Sequence, residues 1–172
     1  MTEPDAALSE SPRASRLRKA ALAGSIVLYI VACATPALVL HVRENLGPAR
    51  SSWQGYESMS GFYLLFVGLL LGWIRINFTA FANLPLWLSW ILFATGRYEG
   101  SRNSSLVALA MSLETLQLVV QPYLMDEGAT RVAYLVAPHI GCVCWIASMI
   151  VIAVASQRLI KSKRESSIHS DP

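Results

Sequence analysis

Apolar residues in this chain gather into long unbroken runs instead of recurring at helix or strand period, and short polar stretches separate the runs. Ala20 to Leu40 carries no charge over about 21 residues, enough to cross a bilayer once as a helix. Pro36 predicts a kink near its far end. Ser104 to Gln121, which Pro122 stops, and Val132 to Ser156 are two further runs. The longest, Met59 to Gly96, reads as two apolar pieces, each shorter than the ~20 residues of a straight span, around a segment holding Arg75, Asn77, Asn83 and Pro85. Polar groups at membrane depth must be satisfied by protein or water, so this element is expected to be broken or re-entrant and to need neighbours.

The pattern predicts an all-α, polytopic transmembrane helix bundle with five helical pieces and four net crossings, one through the broken element. A disordered tail over 1–19, ending on Arg13, Arg16, Arg18 and Lys19, is expected before it. The bundle occupies 20–156, and a basic tail with Arg158, Lys161, Lys163 and Arg164 follows over 157–172. His41 to Ser58, Arg97 to Asn103 and Tyr123 to Arg131 are read as connecting loops. With 54% hydrophobic and 15% charged residues, the chain carries far fewer charges than the ~25% of a soluble domain.

Charge placement orients it. With four crossings, ten Lys and Arg fall on the side of the termini and three on the other; with five, the split is six and eight, against the positive-inside tendency. Both termini are therefore expected in the cytoplasm. A cleaved leader is the competing reading of the first run, since Ile30-Val31-Ala32-Cys33 resembles a lipoprotein cleavage box, but the apolar run continues past Cys33.

Glu114, Gln117 and Gln121 share one helix face, and Glu114 is the only in-span carboxylate. A buried charge calls for a partner, and Arg75 is the strongly charged group at similar depth. A Glu114–Arg75 pair, with Gln117, Gln121, Asn77 and Asn83 around it, is the candidate intramembrane polar cluster; it reads either as glue between helices or as an ion or ligand path. Arg75 snorkelling to the interface is a third option. Small residues four apart (Gly68 and Gly72, Ala20 and Gly24, Ala137 and Gly141) suit close helix packing or self-association. His139, Cys142 and Cys144 lack the converging spacing of a metal site, so no metal or cofactor is expected. Hydrolase and phosphate-binding motifs are absent from the sequence, and the basic ends suit anionic lipid without any need for nucleic acid.

The residues from Gly72-Trp73 through Asn77, the Phe81-Ala82-Asn83-Leu84-Pro85 stretch, the Gly96-Arg97-Tyr98 turn, the DEGATR turn and the WIASMIVI span resemble small uncharacterised multi-pass proteins of the bacterial inner membrane, over roughly 53–155. The break between Gly72 and Asn83 is shorter here and lacks an acidic residue. The resemblance implies location and architecture, not activity. The expected function is non-enzymatic: binding a partner within the bilayer, as an accessory subunit or as an immunity protein against a membrane-targeting toxin. A small channel or transporter using the polar cluster is the alternative.

Overall fold

The structure, a computed structural model, describes residues 12–45, 51–71, 79–116, 123–124 and 131–168. Helix α1 (Pro12–Ala34) leads into strand β1 (Pro36–Asn45); β2 (Ser51–Ser60) leads directly into α2 (Gly61–Leu71). A 3-10 turn (Thr79–Ala82) opens α3 (Asn83–Ala94), and α4 (Tyr98–Ser112) closes into a second 3-10 turn (Leu113–Leu116). Strands β3 (Tyr123–Leu124) and β4 (Arg131–Pro138) precede the long α5 (Ile140–Ile168). The described residues are thus mostly helical, with five helices and a small antiparallel sheet.

The sheet corrects the all-α expectation. Its order is β2-β1-β4-β3, with three strands of eight to ten residues and a two-residue fourth. The segment read as the first loop is therefore most of a hairpin. Its partner β4 takes the opening residues of what was read as the last span. The chemistry that stops α1 explains the shift. Thr35 N–H and Oγ1 both donate to the Val31 carbonyl at 3.0 and 2.8 Å, but Pro36 has no N–H to offer Ala32. Pro36 ends the helix instead of kinking it, and Leu38, Leu40 and Val42 then alternate inward at strand period. They pack with Ala37 and Ala133, and with Met59, Leu64 and Leu135. Gly55, at φ +112°, sits beside the register shift between Val42 and Arg43, where β2 carries an extra residue.

Among the described residues, two helices are long and apolar enough to cross a membrane: α1, with 23 residues, and the stretch of α5 from Ile140 to Ser166, with 27. Helices α2, α3 and α4 have 11, 12 and 15 residues. At ~1.5 Å per residue none of these reaches the ~30 Å of a hydrocarbon core. The expected four crossings are therefore not supported. Helix α1 also begins at Pro12 and α5 runs to Ile168, so helix extends into both segments read as tails.

Helix α5 packs along α1 and α4, and α3 packs on α4. Two apolar clusters fill the interior. Ala82, Leu86, Ala108 and Met149 form one; Phe93, Ile152, Ala155 and Leu159 form the other, with Leu17, Ala21 and Tyr98 against it. The turn between α3 and α4 is closed by Gly96, at φ +77°: its N–H donates to Phe93 O (3.2 Å), and Arg97 N–H donates to Leu92 O (2.8 Å). Leu17 near the start of α1 and Tyr98 at this turn pack against the cluster that includes Leu159 of α5, so these three segments lie together. The sheet lies at the other end.

Sheet and helices meet at one crowded corner. The Gly61 N–H donates to Thr35 O at 3.0 Å, and a Cβ added at Gly61 would fall on the Ala32 carbonyl. A Cβ at Gly141 would lie 2.8 Å from Pro36 O and 3.0 Å from Ala32 O. Both glycines admit the backbone of the α1–β1 bend. The small-residue spacings fare differently. Gly24 has nothing within 4 Å of an added Cβ, and Ala137 lies in β4 while Gly141 lies in α5, so neither pair forms a helix–helix seam.

Candidate functional site: a hydrogen-bonded seam between helices

Helices without a wide polar face must satisfy each interior polar group locally. Among the described residues, the fully or nearly buried polar side chains are Asn83 and seven serines: Ser25, Ser89, Ser101, Ser105, Ser112, Ser148 and Ser156. All eight belong to helices. Their bonds fall into three groups.

The first joins α1, α3 and α5. Trp90 Nε1 donates to Ser25 Oγ at 2.8 Å, and Ser25 Oγ donates to the Ser148 carbonyl at 2.8 Å. Tyr29, one turn on from Ser25, packs edge-on against Trp87 and Trp90, with ring centroids at 6.4 and 5.3 Å. The second group joins α5, α4 and α3: Ser156 Oγ donates to Ser101 Oγ at 3.1 Å, and Ser101 Oγ donates to Ser89 O at 2.9 Å. The third lies at the start of α3. Trp145 Nε1 donates to Asn83 Oδ1 at 2.9 Å, and Ser104 Oγ donates to Pro85 O at 2.7 Å.

A serine can serve this role because its side chain is small and its hydroxyl can return to its own helix. Ser89, Ser105, Ser112 and Ser148 each donate to the carbonyl three residues earlier, at 2.7 to 2.9 Å. A helix faced with serine and alanine lets its neighbour approach closely. In α4 that face is Ser101, Ser105, Ala108 and Ser112, all buried. This spacing of four, three and four is visible in the sequence.

Of the predicted polar cluster, the structure places Asn83 and Glu114. Asn83 is buried and bonded to Trp145. Glu114 is half-buried in the second 3-10 turn, which packs beside the first turn and so near Asn83. Arg75, Asn77, Gln117 and Gln121 lie outside the described residues, as does Gly72; Gly68 falls within α2.

The seam's chemistry is that of cohesion. Its bonds link hydroxyls, an amide, two indoles and backbone carbonyls, with no carboxylate, imidazole or amine to move a proton. Cys33, Cys142 and Cys144 are free thiols, and His139 is exposed, its N–H bonded to Ala37 O at 2.9 Å. Among the described residues no three His, Cys, Asp or Glu side chains gather as metal ligands.

Comparison with protein-family models, with curated proteins and with solved structures found no match in any of the three.

Proposed function

We propose that this chain is a non-enzymatic integral membrane protein that acts by holding a partner within the bilayer. One observation carries the reading: the helices bury hydrogen-bonded serines and indoles among their apolar clusters while their outer faces are strongly apolar. Hydroxyls and indoles meet in the interior, while Ile30, Ile91 and Val143 stand 59%, 61% and 59% exposed on outer faces. Water would penalise that outer surface and lipid would not. In hydrocarbon, association of such helices relies on close packing and interhelical hydrogen bonds, which is what the seam supplies.

In this reading α1 and α5 span and the shorter helices pack between or beside them. The excess of Lys and Arg at the end where α1 starts and α5 finishes supports a cytoplasmic side for that end. A bacterial inner membrane suits the resemblance noted above. Outer helix faces not needed for the chain's own packing are then free to dock a second membrane protein: a larger assembly's core subunit, a toxin, or another copy of this chain.

The test is photocrosslinking in native membranes, with a photoreactive residue at Ile91 or Val143. Discrete adducts with one protein, retained after alkaline washing, support the proposal. Adducts with lipid alone at both positions, or release of the chain by alkali, contradict it.

A transport reading retains one specific support, the helix breaks beside Asn83 and Glu114. Loss of solute flux in Glu114→Gln with unchanged insertion would favour it over partner binding.

A further inference from the structure

Charge is distributed unevenly between the two ends of the molecule. At the sheet end the described strands carry Arg43 and Arg131 against Glu44 and Glu57. At the other end, the start of α1, the α3–α4 turn with the first residues of α4, and the end of α5 together carry ten Lys and Arg against Glu99 and Glu165. The folding brings these three segments into contact. Arg18 Nη1 lies 3.9 Å from the point a Gly96 Cβ would occupy, and Arg102 Nη1 donates to Gln157 Oε1 at 3.0 Å.

The two acids neutralise little of this charge. Arg164 to Glu99 spans 3.5 Å and Lys161 to Glu165 spans 3.8 Å, with every side chain well over half exposed. Exposed pairs of that length hold weakly. Nor does packing explain the positions. Leu159 and Ile160 are buried, and every residue from 161 to 166 is exposed. The helix nevertheless continues to Ile168, giving 29 residues or about 43 Å. That exceeds the ~30 Å hydrocarbon core by ~13 Å, roughly the two headgroup layers together.

We infer that this end is a binding surface for anionic phospholipid, in which Lys161, Lys163 and Arg164 on the projecting turns of α5 engage the phosphodiester headgroups. The inference rests on the membrane reading above. The spacing suits lipid better than free phosphate, because the cations are spread over three segments around one rim instead of converging on a pocket. Cationic side chains near such a surface are drawn to it additively and are screened by salt.

The experiment uses the full chain in detergent, exposed in turn to phosphatidylglycerol, phosphatidylcholine and inorganic phosphate, with bound lipid counted by native mass spectrometry. The expected result is retention of phosphatidylglycerol over phosphatidylcholine by roughly tenfold or more, falling toward parity in the variant combining Lys161→Gln, Lys163→Gln and Arg164→Gln. These positions are exposed, and an unchanged thermal midpoint confirms that the variant is folded. Equal retention of both lipids, displacement by inorganic phosphate at matched concentration, or an undiminished preference in the variant overturns the inference. If the chain leaves membranes under alkaline washing, the membrane reading itself fails; a membrane-bound chain without the preference defeats the lipid inference alone.

Discussion

The helices and the sheet of this molecule both bury apolar side chains, but among the described residues the helices alone bury polar ones beside them. In the sheet, Ala37, Leu38, Leu40 and Val42 turn inward while Tyr56, Ser58 and Ser60 face out. In the helices, seven serines and an asparagine turn inward beside Leu86, Phe93, Met149 and Ile152, while Val27, Ile30, Ile91 and Val143 face out. One chain thus folds by two rules. The sheet follows the rule of a protein in water, where removing apolar area from solvent drives assembly. The apolar outer faces of the helices fit the membrane reading proposed above, in which the outside is already apolar and cohesion comes from close approach and hydrogen bonds. The change of rule falls at Pro36, where α1 gives way to β1, and the glycine corner at Gly61 and Gly141 joins the two regimes.

The strongest way to break the contrast is to put a charge in each region. Val42 is fully buried in the sheet. Val42→Asp leaves a carboxylate without a partner and is expected to cost ~3–5 kcal/mol, read as loss of the folded species in a denaturant or thermal titration.

The sharper comparison pairs two exposed positions. Ile91 on α3 is 61% exposed and Tyr56 on β2 is 71% exposed. If both faced water, lysine would be tolerated at each. With Ile91 facing lipid, Ile91→Lys is expected to cost ~2.5–3.5 kcal/mol at mid-depth, whereas Tyr56→Lys stays within ~0.5 kcal/mol. Membrane insertion efficiency and thermal stability check this pair, and equal tolerance would remove the distinction.

The corner tests how the regions are joined. Gly61→Ala drives a methyl group into the Ala32 carbonyl, so a loss of ~1–3 kcal/mol is expected. Gly24→Ala meets open space and is expected to change stability by no more than ~0.5 kcal/mol. Thermal midpoints of the two variants side by side decide it.

The smallest effect belongs to the seam. A double-mutant cycle on Trp145→Phe and Asn83→Leu is expected to give a coupling of ~0.6 kcal/mol, and no more than ~1.7, as for hydrogen bonds inside lipid. Unfolding free energies of the two single variants and the double variant supply it.

Much of the helical half was legible in the sequence because most of each long apolar run is helix, and the crowding of Lys and Arg at one end follows from simple counting. The sheet was not. Strand β1 continues the apolar run of α1 without a polar break, so Ala20 to Leu40 reads as one segment although it is a helix followed by a strand. The available clue was Pro36 followed by inward alternation of Leu38, Leu40 and Val42 with Val39, His41 and Arg43 between them. The seam was missed for a different reason. Attention to charge favoured Glu114 and Arg75, whereas serines blend into apolar runs until their spacing is examined. Of the polar residues singled out in the sequence, Asn83 is the one whose interior partner, Trp145, the structure identifies.

The most direct test of the two-rule account is collision accessibility of spin labels. Single cysteines at Ile91, Val143, Tyr56 and Ser58 would be placed in a variant with Cys33, Cys142 and Cys144 replaced, and the full chain reconstituted into vesicles. The account predicts that labels at Ile91 and Val143 relax with lipid-soluble oxygen and ignore a water-soluble nickel chelate, while those at Tyr56 and Ser58 do the reverse. Strong relaxation by the chelate at Ile91 and Val143 would place the apolar helix faces in water and contradict the account.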